Sequence, residues 1–128
     1  MRQTIRAALA ALCLAAPAAP GPAAAQDAAL LERGRYLVEV TAACGNCHTP
    51  MGPNGPLPGR HLAGGLVFDE QPFRAVAPNI TPDPETGIGR WTDAELALAI
   101  REGKRPDGSL IGPPMPFLFC RGPADRDL

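Results

Sequence analysis

Residues 44–48 read Cys44-Gly45-Asn46-Cys47-His48, a Cys-x-x-Cys-His pentapeptide. This pattern is the attachment site of a c-type haem. Two thiols add across the two vinyl groups of the macrocycle, and the histidine that follows reaches the iron from one side. On a helical turn, positions i, i+3 and i+4 share a face, so Cys44, Cys47 and His48 point toward the same edge of the disc. Other uses of paired cysteines fit less well. A redox dithiol of the thioredoxin kind lies at a helix N-terminus after a strand, whereas this motif follows a helix-like segment. A zinc site needs a fourth ligand, for which only His61 or Cys120 is at hand.

The N-terminus supports export. Arg2 and Arg6 precede the short apolar run Ala7–Ala16, Pro17 to Pro22 interrupt any helix, and Ala23-Ala24-Ala25 offers an A-x-A cleavage site before Gln26. Residues 1–25 read as a secretory signal peptide. The apolar run is far below the ~20 residues a membrane span needs, and no other stretch is apolar enough to cross a bilayer. Cys13 lies within the apolar run with no small residue just before it, which disfavours a lipid anchor there. The expected location is periplasmic.

Residues 26–128 make one small domain. The whole chain carries a formal charge of −1, and loss of the two leader arginines leaves −3. No basic run suggests nucleic acid. Three cysteines remain after cleavage, an odd number that argues against a disulfide framework; with two on haem, Cys120 is left as a small buried apolar residue.

Ala28–Ala43 is helix-like, with Leu30, Gly34, Leu37 and Thr41 on one face. Gly34 is expected to permit close approach of another helix, with Tyr36 packing nearby. Pro50–Arg60 and Pro78–Arg90 are rich in proline, glycine and asparagine and support neither a long helix nor a clean strand. So much irregular chain in a small domain makes sense if loops wrap a large flat cofactor that serves as the core. Thr92-Asp93-Ala94-Glu95 is a capping box. It opens a second helix with Leu96, Ala99, Ile100 and Gly103 on one face, and Gly103 suits its end. Asp107-Gly108 is a turn. The fold class expected is all-α, with loops around a covalently bound haem.

Met115, in Gly112-Pro113-Pro114-Met115-Pro116, is the candidate for the second axial ligand. A thioether on the iron raises the reduction potential, and flanking prolines stiffen the loop. Met1 leaves with the leader, Met51 follows His48 too closely to reach the far face, and His61 is a lesser competitor. The metal ligands expected are thus His48 and Met115.

The chain resembles monohaem class I-type cytochrome c domains, most of all those in cytochrome subunits of periplasmic, quinone-linked alcohol and aldehyde dehydrogenases. The segments carrying the resemblance are Gly34-Arg35-Tyr36-Leu37, Cys44–Pro50, Leu62-Ala63-Gly64-Gly65, Ala77–Asp83, Gly87–Asp93 and Gly112–Pro116. It implies Cys44 and Cys47 as thioether sites and His48 and Met115 as axial ligands. It also implies Leu62, Asn79 and Trp91 as haem-pocket residues, with Asn79 or Trp91 near a propionate. Such domains usually continue into a C-terminal helix crossing the first, whereas here the sequence stops at Asp125-Arg126-Asp127-Leu128, so that helix is expected to be missing.

The function expected is that of a non-enzymatic electron carrier. One covalent haem c would pass single electrons between a dehydrogenase and a respiratory acceptor, with membrane association only through a complex. The alternatives are a haem-based ligand sensor or haem enzyme with an open sixth position, and a truncated, non-functional product. No paired carboxylates, nucleophile–base arrangement or phosphate-binding loop suggests other catalysis.

Overall fold

The computed structural model describes residues 22–128, with side chains from residue 26. The charged start and apolar run of the expected leader lie outside the described residues. The expected cleavage point after Ala25 falls in the first helix, α1 (Pro22–Tyr36). Proline suits the first position of a helix, where its missing N–H costs nothing. The helix expected over Ala28–Ala43 is present with a change of winding: α1 passes into one π-helical turn, Leu37–Thr41, closed by the Ala42 N–H on the Leu37 carbonyl at 2.8 Å. Ala43 then adopts φ 49°, a left-handed conformation unusual for a residue with a Cβ. This break ends the first helix and starts the turn α2 (Gly45–His48), with Cys44 at its N-cap.

The close approach expected at Gly34 is not made. Among the described residues, nothing lies within 4 Å of where its Cβ would be. Leu30, Leu31 and Tyr36 are exposed, so α1 buries little, and Tyr36 instead lies 5.8 Å beneath the Arg33 guanidinium carbon.

The irregular middle contains two antiparallel hairpins that the sequence reading did not anticipate. β1 (Met51–Gly52) pairs with β2 (Gly55–Pro56), and β3 (Val67–Glu70) with β4 (Phe73–Val76). Four-residue strands are too short for alternation to stand out. They do not alter the mainly helical, loop-rich character of the fold.

The second expected helix is α3 (Asp93–Glu102), and both halves of its capping box form. The Glu95 N–H donates to Thr92 Oγ1 at 3.3 Å, and the Thr92 N–H donates to Glu95 Oε2 at 2.8 Å. The Thr92 N–H and the Thr92 hydroxyl, which also donates to Glu95 Oε2 at 2.9 Å, hold the Glu95 carboxyl below its ordinary range. Gly103 caps the other end at φ 66°. A Cβ there would meet the Phe117 ring at 2.9 Å, so glycine serves both the turn and the packing.

The last residues form two 3₁₀ turns, Phe117–Arg121 and Asp125–Asp127. Arg121 Nε of the first donates to the Arg101 carbonyl at 3.0 Å, and ion pairs fasten the second to both α1 and α3. Arg33 binds both Asp127 oxygens, at 3.0 and 3.3 Å. Arg101 donates to Asp125 Oδ1 at 2.7 Å and to the Pro123 carbonyl at 2.8 Å. The Arg33 guanidinium holds the Asp127 carboxyl below its usual range.

A chain of this size normally buries large side chains at its centre. Here, among the described residues, the buried apolar side chains are Ala77 and Ala99, and no large one is fully buried. The centre is instead a pair of adjoining cavities.

Candidate haem-binding site

α2 places the pentapeptide on one tight turn. The His48 N–H donates to the Cys44 carbonyl at 3.0 Å and the Asn46 N–H to the Ala43 carbonyl at 3.0 Å. His48 is buried, at 7 % exposure. Its Nδ1 lies 2.8 Å from the Pro78 carbonyl oxygen. A carbonyl can only accept, so Nδ1 carries the proton and donates. In the neutral ring, Nε2 then keeps its lone pair. This is the tautomer a metal-ligating histidine requires, with the ring oriented through its other nitrogen.

Backbone pairing brings Pro78 to that position. The segment Leu62–Leu66 lies against Ala77–Ile80 through three bonds: Gly65 N–H to Ala77 O at 2.8 Å, Ala77 N–H to Leu66 O at 2.9 Å, and Ile80 N–H to Leu62 O at 3.0 Å. Gly64, at φ 72°, donates to the His48 carbonyl at 2.7 Å. A Cβ on Gly64 would lie 2.5 Å from both the Pro78 carbonyl carbon and the Asn79 nitrogen. Leu62 also takes a left-handed φ, 59°, and its N–H donates to Thr49 Oγ1 at 3.1 Å.

The two cavities measure about 340 and 330 Å³. His48 and Met115 line both, Cys47 lines one and Cys44 the other. Phe68, Phe73 and Val76 of the second hairpin wall the Cys47 side. Leu62, Asn79, Trp91 and Leu96 wall the Cys44 side. All seven site residues expected from the sequence therefore surround one divided, mainly apolar space.

Burial pushes the Cys44 thiol above its ordinary pKa, and the nearby Cys120 adds to the shift. Cys120 is half-buried, more open than expected. Asn79 braces its own loop: Oδ1 accepts from the Thr81 N–H at 2.9 Å and the Thr81 hydroxyl at 2.7 Å, and Nδ2 donates to Thr86 Oγ1 at 2.8 Å.

His61, the competing ligand, lines neither cavity. Its Nε2 lies 2.7 Å from Glu39 Oε1 and its Nδ1 3.3 Å from Thr49 Oγ1. A carboxylate can only accept, so Nε2 carries a proton and donates to Glu39. Met51 is exposed on β1.

Arg105 lines both cavities and was missed in the sequence. It lies in the polar run after α3, and no local pattern marks it as facing inward. The Pro78 carbonyl was equally hidden, because a backbone acceptor has no side-chain signature.

The fit to a haem rests on these features. The donor set is a buried imidazole of the right tautomer and a thioether lining the same cavities. Two thiols flank them, and apolar walls stand where a protein of this size would otherwise place a core.

No family model matches the chain. A nicotinate dehydrogenase subunit from Pseudomonas putida is 42 % identical over 113 residues, 88 % of this chain and 9 % of that protein. The cytochrome c subunit of a quinone alcohol dehydrogenase from Gluconobacter oxydans is 39 % identical over 110 residues, 84 % of this chain and 22 % of the relative. The cytochrome subunit of fructose dehydrogenase from Gluconobacter japonicus is 38 % identical over 114 residues, 89 % of this chain and 22 % of the relative. The chain thus spans between about a tenth and a quarter of the length of such relatives. With its mainly helical fold and its Cys-x-x-Cys-His turn, the chain is a homologue of dehydrogenase cytochrome c subunits and resembles one cytochrome c domain of them.

Proposed function

We propose that this chain is a single-haem electron-transfer domain that takes electrons from a dehydrogenase and passes them to a respiratory acceptor in the periplasm. The observation that carries this reading is that His48 and Met115 line both cavities while Cys44 and Cys47 take one each. A haem bound there would supply a one-electron iron couple. Cys44 and Cys47 would hold the haem by thioether bonds, each thiol adding its sulfur and hydrogen across a vinyl double bond, an addition that needs no oxidant. His48 would bind iron through Nε2 and Met115 through sulfur. The remaining work of the chain is to hold, orient and shield. Pro78 fixes the imidazole, and Leu62, Trp91, Leu96 and the β3–β4 hairpin keep water from the walls.

With His48 and Met115 both holding the iron, a bound haem would supply electron transfer rather than ligand chemistry. The oxidised protein should therefore show the weak far-red sulfur-to-iron band. Met115→Ala should remove it, lower the potential and admit cyanide or carbon monoxide. A parent protein that already binds these ligands would instead support the open-site sensor or enzyme.

Export is the second part of the proposal, resting on the leader pattern in residues 1–25. N-terminal sequencing of periplasmic protein should begin at Gln26. A haem-bearing cytoplasmic product that still starts at Met1 would be incompatible with it. Among the described residues, no helix is long and apolar enough to cross a membrane.

A further inference from the structure

Haem carries two carboxylates, and a carboxylate beside apolar walls is costly unless paired. Two cationic side chains line the cavities. Arg74 lines one only, is 64 % exposed, and faces Asp69 at 3.7 Å. Arg105 lines both and is half-buried. Its Nη1 donates to Ser109 Oγ at 3.1 Å and to the Leu110 carbonyl at 2.9 Å. A guanidinium has five N–H donors. The Nε–H and both Nη2 hydrogens of Arg105 have no hydrogen-bond acceptor among the described residues.

The loop that Arg105 holds leads to Met115. The Arg105 N–H donates to the Ser109 carbonyl at 2.9 Å, and the Ile111 N–H donates to the Gly103 carbonyl at 2.6 Å. Ile111 also lines both cavities. One end of the Arg105 side chain is thus committed to the approach of the methionine loop. The rest offers the planar pair of donors that suits a carboxylate.

We infer that Arg105 receives a carboxylate of the haem and ties it to the loop bearing Met115. This rests on the haem reading above and adds a positioning role to it: one residue couples the charge at the rim of the cofactor to the placement of the sixth ligand. A fixed positive charge near the iron stabilises the reduced state, which carries one positive charge fewer.

The test is a series on the full-length haem protein, Arg105→Lys and Arg105→Gln, read by reduction potential, far-red band and haem content. Lysine keeps the charge; glutamine keeps a donor for Leu110 and loses the charge. Arg105→Gln should lower the potential while the band persists, and Arg105→Lys should restore most of the loss. Failure of Arg105→Gln to load haem where Arg105→Lys loads it would support the same charge requirement. A parent-like potential in Arg105→Gln would overturn the inference. Equal loss of band, potential or haem in both variants would also overturn it, since loop bracing alone would then account for the residue. Absence of covalent haem in the parent would instead sink the haem reading itself.

Discussion

Alanine at both Cys44 and Cys47 should abolish haem-peroxidase staining of the denatured chain, while the parent, matured with an attachment system, keeps its stain after acid-acetone extraction. The two thiols precede His48 on a single turn and line one cavity each, which on the proposed reading gives each one vinyl group. Single substitutions should weaken retention, since one bond still survives denaturation. Extraction of all haem from the parent would contradict covalent attachment and leave, at most, a ligated cofactor. The large effect follows from geometry. Without a covalent hold, retention would depend on two axial bonds and on walls that bury no large side chain of their own.

Gly64→Ala should be strongly destabilising, because a left-handed backbone and a backbone clash coincide there. At φ 72°, a residue with a Cβ costs about 1–2 kcal/mol from conformation alone. The new methyl would also lie 2.5 Å from the Pro78 carbonyl carbon and 2.7 Å from the Ala77 oxygen. These are backbone atoms and cannot swing aside as a side-chain tip would. Pro78 must move, and with it the acceptor that orients His48. A loss above about 3 kcal/mol is expected, against a typical total of about 5–15 kcal/mol. Denaturant unfolding of the haem-loaded variant should show an early midpoint, and its histidine–iron geometry should be altered spectroscopically. A parent-like midpoint would show that the Leu62–Leu66 and Ala77–Ile80 segments separate at little cost. Gly34→Ala, with nothing near its Cβ, is the natural control.

What the sequence made legible was local. The pentapeptide, the Thr92–Glu95 capping box and the Gly103 stop each depend on residues within four positions of one another, so composition and spacing were enough. Met115 was legible by elimination and by its prolines. Leu62, Asn79 and Trp91 came from resemblance alone; no periodicity assigns them inward. The Pro78 acceptor was illegible because it reaches His48 from 30 residues away, and Arg105 because its own bonds are local and only the folding of distant segments around it makes it a cavity wall. The Gly34 reading failed for the same reason in reverse: a small residue permits a close approach without supplying a neighbour. The β3–β4 hairpin was missed because its strands are too short to show a period.

The backbone hydrogen bonds that wind the α2 turn itself run between residues three or four apart: the His48 N–H on Cys44, the Asn46 N–H on Ala43, the Thr49 N–H on Gly45. Nothing distant is needed to shape it, so on the proposed reading a nascent chain can present both thiols and the histidine before the rest has condensed. Loop-closure entropy rises slowly with length, about 0.6 kcal/mol per doubling. An early-anchored disc could therefore act as a template onto which Pro78 and then the far methionine loop fold in turn. The order in which the walls occur along the chain is then also an order of assembly.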